Sequence, residues 1–144
     1  GKKAVFFDLD GTIVDTKTYM NKAVQKVVDE MGYGWIDAES YYQPGKCITN
    51  QWNTIVSANS LKIKGSVETF IEKIHKYYIE IIRDSDLEPK EGFWDFTYEL
   101  KFEKELKLAL TTNSSRKVTE AVLKKIEASK LFDFIICGDE VRKK

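Results

Sequence analysis

The chain has 144 residues, 42% of them hydrophobic, ample for one packed globule or a small core carrying an insertion. Its 23 basic and 23 acidic residues cancel to a formal charge of zero, so no global field favours nucleic acid or an anionic membrane, and any anion must be captured locally. Cys47 and Cys137 lack metal-ligand spacing, no apolar run approaches the ~20 residues of a membrane span, and the N-terminus shows no signal-peptide pattern, so a reducing cytoplasm is the expected setting.

The first element is "KAVFF", which reads as a short strand buried on both faces, because central strands of parallel sheets are continuously apolar rather than alternating. It runs straight into "DLDGT", where Asp8 and Asp10 flank Leu9. From Tyr19 to Met31 the apolar positions Tyr19, Met20, Ala23, Val24, Val27, Val28 and Met31 recur every three to four residues, predicting an amphipathic helix. A weaker helical pattern follows the turn-like "QPGK" at Trp52, Ile55 and Val56. The clearest one starts behind Gly65 and Ser66, a candidate N-cap, with Val67, Phe70, Ile71, Ile74, Tyr77, Tyr78, Ile81 and Ile82. Residues 16–84 are therefore expected to be all-helical.

After "RDSDLEPKEG" the pattern changes to a helix from about Gly92 to Lys104, a compact strand "LKLALT", a polar turn "TNSS", a helix carrying Val118, Ala121, Val122 and Ile126, and then "FDFIICGDE". That alternation predicts an α/β fold, a Rossmann-like parallel sheet whose first strand is separated from the rest by a helical insert. The expected core is 1–15 with 85–144, and the expected insert is 16–84.

Burying a carboxylate costs several kcal/mol unless it is paired, hydrogen-bonded or bound to metal, so two acids at the end of an apolar strand require an explanation. In open parallel sheets ligands bind at the carboxyl ends of the strands, and both "DLDGT" and "TTNSS" fall at such ends. Side chains alternate along a strand, so Asp8 and Asp10 can project together while Leu9 points away. Gly11 lets the chain turn and present backbone N–H groups to an anion. Two close carboxylates repel, and hard oxygen ligands suit Mg²⁺ as the stabilising cation. Thr112, Asn113 and Ser114 would converge on the same crevice, although such residues also suit a helix N-cap.

"FFDLDGTIVDT" resembles the first motif of the haloacid dehalogenase superfamily of phosphohydrolases, and "LALTTNSS" resembles its second, with Thr112 in the hydroxyl position and Asn113 following. The helical insert is similar to the small cap of the phosphoglycolate phosphatase and β-phosphoglucomutase branch. The resemblance implies that Asp8 attacks phosphorus to form an aspartyl-phosphate, and that Asp10 protonates the leaving oxygen and later deprotonates the hydrolytic water. It implies Mg²⁺ held by Asp8 and Asp10, with Gly11, Thr112 and Asn113 on the phosphoryl oxygens. The expected substrate is a small phosphorylated metabolite. The dehalogenase branch lacks the second aspartate, so Asp10 favours phosphoryl transfer.

A phosphosugar mutase of the same superfamily is the alternative, but the early cap there carries a histidine where "DTKTYMNK" offers Tyr19 and Met20. Tyr19, and Lys46 in "YYQPGKCITNQW", are the candidate substrate contacts of the insert. The family also places a lysine after the third strand and an acidic pair after the fourth. "FDFIICGDEVRKK" is the usual lead-in to that lysine, which would fall one position beyond Lys144, so Asp139 and Glu140 are not assigned to the metal. The expected partner is a missing C-terminal segment, and a non-catalytic binding fragment is the reading from another class. Three parallel strands alone would leave a central edge uncovered.

Overall fold

A computed structural model describes residues 3–140 of the chain. The expected lead-in "VRKK", with Lys144, lies outside the described residues, as do Gly1 and Lys2 of the expected core. The chain divides into two compact units, one built from the stretch up to Thr16 together with the stretch from Ser85 onward, the other from Lys17–Asp84.

The first unit is an α/β unit around a three-stranded parallel sheet of β1 (Ala4–Asp8), β2 (Lys107–Thr112) and β3 (Phe134–Cys137), in the order β1-β2-β3. Its fold class is the one the alternation predicts. Register places Phe6 beside Ala109 and Ala109 beside Phe134, while Phe7 lies beside Leu110 and Leu110 beside Ile135. Alternation then divides the sheet into two faces. One face carries Phe7, Leu108, Leu110, Thr112 and Cys137, all buried. The connecting helices are α4 (Phe93–Tyr98), extended by a π turn over Glu99–Glu103, and α5 (Arg116–Lys125). Phe96 of α4 meets Phe7 edge-on at 6.0 Å, Phe132 meets it at 6.1 Å, and the buried Thr119 of α5 lies beside Cys137. Both helices therefore cover the Phe7 face.

The expectation of a first strand buried on both sides is corrected here. Along β1 only Phe7 is buried; Phe6 is 64% exposed, on the face opposite the helices. The apolar run is continuous, but β1 is an edge strand of the described sheet, and neither α4 nor α5 reaches its second face.

The second unit consists of α1 (Lys17–Glu30), α2 (Ile48–Ala58) and α3 (Val67–Asp84), with a 3₁₀ turn at Ala38–Tyr41. The helix-period positions supply its core: Met20, Ala23, Val24, Val27 and Val28 from α1, Trp52 and Ile55 from α2, Ile74, Tyr78 and Ile82 from α3. Each such aliphatic side chain contributes about 1.5–3 kcal/mol when fully buried. Trp52 stacks on Phe70 at 5.3 Å. Ser66 Oγ accepts the Thr69 N–H at 3.3 Å, capping α3. Side-chain amides fix the loop between α1 and α2, since the half-buried Gln25 donates through Nε2 to the Ile36 carbonyl at 2.9 Å and the buried Gln51 donates through Nε2 to Asn21 Oδ1 and to the Ala38 carbonyl, each at 2.9 Å. Among the described residues no helix is long and apolar enough to cross a membrane.

Candidate functional site

The site is assembled at the carboxyl ends of β1 and β2. Asp8 closes β1 beside Thr111, and Leu9 behind it is fully buried. Leu9 anchors the turn in the core: its carbonyl accepts the Ile13 N–H at 3.0 Å and the Val14 N–H at 3.3 Å. With Leu9 held inward, Asp8 is left exposed and Asp10 half-buried.

Asp10 is the hub. Its carboxylate accepts Thr16 Oγ1 at 2.6 Å and Ser114 Oγ at 3.0 Å, with Thr112 Oγ1 at the long limit of 3.4 Å. Three hydroxyls from two distant segments thus converge on one acid. Hydrogen bonds to an ionised carboxylate are roughly twice as strong as neutral ones, so this network holds the acid in one orientation. Asp8 feels the opposite influence. Partial burial, and after it the charge of Asp10, push its carboxyl above the ordinary value of 3.8, while the Leu9 backbone hydrogen bond pulls it back. Because Asp8 is open to water, that repulsion is substantially screened.

The second segment is shaped by capping. Ser115, at φ −66°, is the N-cap of α5 and accepts the Val118 N–H at 3.3 Å. That leaves Ser114 free to turn to Asp10, and the Ser114 N–H donates to Thr112 Oγ1 at 3.1 Å. Asn113 is exposed at the tip. Gly138, just after β3, packs so closely that a Cβ there would sit inside the Asn113 carbonyl oxygen, and its N–H donates to the Ser114 carbonyl at 3.0 Å. The ends of all three strands are therefore tied together.

Gly11 lies at φ +82°, a conformation that glycine adopts without strain. Its N–H donates to the Val14 carbonyl at 2.8 Å, so among the backbone N–H groups of this turn the one of Gly11 itself is engaged inside the turn. Its carbonyl accepts Lys90 Nζ at 2.6 Å, and the Lys90 N–H donates to the Ile13 carbonyl at 2.7 Å. Sequence reasoning placed Ser114 at the crevice without giving it a partner, and did not select Thr16, Lys90 or Gly138 for the site. Only the hydroxyls flanking the two motifs were signals; nothing in the sequence marks Lys90.

Tyr19 and Lys46 belong to the helical unit. Tyr19 is half-buried on α1, and Lys46 is exposed in the turn after Pro44, its N–H donating to the Gln43 carbonyl at 3.1 Å. Asp139 and Glu140 are engaged elsewhere: Arg116 donates to Glu140 through Nε at 2.5 Å and Nη2 at 2.8 Å, and its N–H donates to Asp139 Oδ1 at 3.1 Å. The guanidinium holds the Glu140 carboxyl below the ordinary range. A cleft of about 640 Å³ lies between the 85–95 segment and the end of α5, but Asp86, Glu88, Glu91, Asp95 and Glu127 outnumber Lys90 and Lys125 on its walls. An anion is disfavoured there, and none of the site residues named above except Lys90 lines it.

Asp8 and Asp10 are hard oxygen donors of the kind Mg²⁺ takes, and their mutual repulsion is the disturbance that a cation relieves. Among the described residues no group of three His, Cys, Asp or Glu side chains is gathered to hold a metal. The pair fits part of a Mg²⁺ shell.

Comparison with known proteins gives a consistent picture. The family model described as haloacid dehalogenase-like hydrolase matches residues 5–144. Over 140 residues the chain is 26% identical to a phosphorylated carbohydrates phosphatase of Thermotoga maritima, covering 97% of this chain and 63% of the relative. It is 27% identical over 148 residues to a phosphoglycolate phosphatase of Aquifex aeolicus, covering 95% and 61%. The crystal structure of CbbY from Rhodobacter sphaeroides in complex with phosphate shares the fold, at a TM-score of 0.76 and 19% identity over 100% of this chain and 67% of that one. The chain spans about three fifths of the length of the curated relatives it matches.

Proposed function

The chain belongs to the haloacid dehalogenase-like hydrolase family, and we propose that it carries the nucleophile and the acid–base residue of a Mg²⁺-dependent phosphohydrolase acting on a small phosphorylated metabolite in the cytoplasm. The observation that carries this reading is the convergence of the Thr16, Ser114 and Thr112 hydroxyls on Asp10, one residue removed from the exposed Asp8 at the strand end.

In this reading an Asp8 carboxylate oxygen attacks phosphorus as the bond to the leaving oxygen breaks, and Asp10 delivers its proton to that oxygen. Water then attacks the aspartyl-phosphate, Asp10 takes the water's proton, and inorganic phosphate leaves with Asp8 regenerated. The three hydroxyls keep Asp10 aimed while it changes protonation state. Asn113 supplies a donor to the phosphoryl oxygens, Thr112 supplies one when its hydroxyl turns from its long 3.4 Å contact with Asp10, and Gly11 contributes the turn rather than its N–H. Mg²⁺ would be held by the Asp8 carboxylate and the Asp10 backbone carbonyl, where it would neutralise charge on the phosphoryl oxygens. Tyr19 and Lys46 are carried as substrate contacts of the helical unit, which serves as the cap.

The test is turnover of p-nitrophenyl phosphate by the complete protein. Asp8→Asn should abolish it, because an amide cannot replace the covalent step. Activity retained at a tenth of wild type would exclude Asp8 as the nucleophile.

A further inference from the structure

The turn that carries Ser114 is fastened to the end of β3 as well as to Asp10. Arg116, two residues after Ser114 and the first residue of α5, reaches across to that end. Its Nε and Nη2 fork onto the Glu140 carboxylate at 2.5 and 2.8 Å, and Nη2 also donates to the Ile135 carbonyl at 2.9 Å. Glu140 is itself held to the sheet, since its carboxylate accepts the Cys137 N–H at 3.2 Å. Two further bonds run alongside: the Arg116 N–H donates to Asp139 Oδ1 at 3.1 Å, and the Gly138 N–H donates to the Ser114 carbonyl at 3.0 Å.

The fork matters for direction rather than for stability. Its two side chains are 37% and 41% exposed, and ion pairs so open to water contribute little to folding. Two parallel bonds between planar groups nevertheless fix an orientation that a single contact, or a lysine in place of the arginine, leaves free. The backbone at Arg116 is thereby tied to residues 135–140, and Ser114 lies between this tie and the end of β2. Ser114 Oγ stands 3.0 Å from Asp10 Oδ2, so a displacement of about 0.5 Å would carry it out of hydrogen-bond range. Catalytic constellations work within a tolerance of about that size.

We propose that Arg116 is a positioning residue for Asp10: forked onto Glu140, it holds the turn of Ser114 at the distance from which the serine hydroxyl aims the Asp10 carboxylate. This inference rests on the reading of Asp10 as the acid–base residue and adds the element that sets its direction. The path runs from the β3 end through Glu140, Arg116 and Ser114 to the acid.

Kinetics of the full-length protein with p-nitrophenyl phosphate test it. Arg116→Met should lower kcat by about 10-fold, with KM changed less than about twofold and the unfolding midpoint nearly kept. Arg116→Lys should restore little of the loss, because an ammonium cannot fork. Glu140→Gln should lower kcat in the same sense, and it carries the test if Arg116→Met does not fold. Glu120→Gln, which removes the carboxylate 3.7 Å from Nη1 on the same helix, should leave kcat unchanged. In a Ser114→Ala background Arg116→Met should cost no more than about twofold further, since the path is already cut. Full kcat in both Arg116→Met and Glu140→Gln, or losses that multiply with Ser114→Ala, would overturn the proposal. Amide exchange supplies a readout that needs no turnover: the Gly138 and Ser114 N–H groups should exchange about 10-fold faster in Arg116→Met. Equal exchange would overturn the clamp whatever the kinetics. Faster exchange in a protein whose turnover survives Asp8→Asn would sink the phosphohydrolase reading and leave the clamp standing.

Discussion

Ser114 Oγ donates to the Asp10 carboxylate across 3.0 Å, although 104 positions separate the two residues in the chain. The bond exists because Ser115 takes over the capping of α5 and because Gly138 presses against Asn113, fixing the turn that carries Ser114. Hydrogen bonds to charged groups contribute about 1.5–3 kcal/mol. Ser114→Ala in the complete protein should therefore lower kcat by about 10- to 100-fold with a smaller change in KM, and Ser114→Thr should restore much of it. Steady-state kinetics with p-nitrophenyl phosphate checks this; an unchanged kcat would mean that Thr16 and Thr112 suffice to orient Asp10.

The Asp8 carboxyl sits above its ordinary value through partial burial and the neighbouring Asp10 charge. A carboxyl raised in the folded state contributes stability that is fully present below its ordinary pKa of 3.8 and is lost as pH rises through the raised value. Asp8→Asn is neutral at every pH. It should therefore stabilise the chain at pH 7, by at most about 1 kcal/mol since water screens an exposed pair, and be nearly neutral at pH 3. Thermal unfolding of both proteins at the two pH values provides the comparison, and a greater stabilisation at pH 3 would contradict the assignment.

Gly138 has no space for a side chain against the Asn113 carbonyl. Backbone on both sides of the contact means that neither partner can rotate away, so Gly138→Ala should act as an overpacking substitution and cost about 1–3 kcal/mol. Calorimetric unfolding would register this as a lower midpoint. A variant as stable as wild type would show that the β3 end and the Asn113 turn separate easily.

Glu140 is held below its ordinary value of 4.5 mainly by the Arg116 hydrogen bonds. A depressed carboxyl contributes stability above its ordinary value and loses it as pH falls through the depressed one. The Cys137 N–H, which donates to Glu140 Oε1 at 3.2 Å, reports on this contact. Its exchange, corrected for the intrinsic rate, should accelerate in acid, and Arg116→Met should remove most of that pH dependence. An identical acid response in the variant would dissociate Glu140 from Arg116.

The proposed Mg²⁺ role predicts a difference between the 144-residue chain and a longer gene product that contains it. Asp8 and Asp10 are the acids at the site, and no third ligand joins them among the described residues. One carboxylate fewer at an effective dielectric of about 20 forfeits a few kcal/mol of attraction before relaxation, so Mg²⁺ should bind the 144-residue chain about 100-fold or more weakly than the complete protein. Titration calorimetry measures both. Equal affinities would mean that residues of this chain complete the shell.

Some of this molecule is determined by local rules that a sequence states openly. Helix-period apolar positions such as Val24, Ile74 and Tyr78 become the core of the helical unit because side-chain direction follows from a 3.6-residue repeat. Alternating helices and short apolar strands determine the α/β class, and the residues of "DLDGT" and "TTNSS" carry the resemblance to the family. Tertiary structure alone decides what depends on distant segments meeting. That "KAVFF" is covered on one face only follows from the hand of two crossovers, which put α4 and α5 together on the Phe7 side and leave Phe6 open. Which hydroxyls reach Asp10, why Gly11 spends its N–H on Val14, and why Lys90 is bound to Gly11 all follow from three-dimensional proximity between residues that no sequence period connects. Hydrogen bonds form at about 3 Å whatever the chain distance between their partners, so local pattern specifies elements and strand ends, while the orientation of the acids is set only when β1, β2 and the turns beyond them are in place.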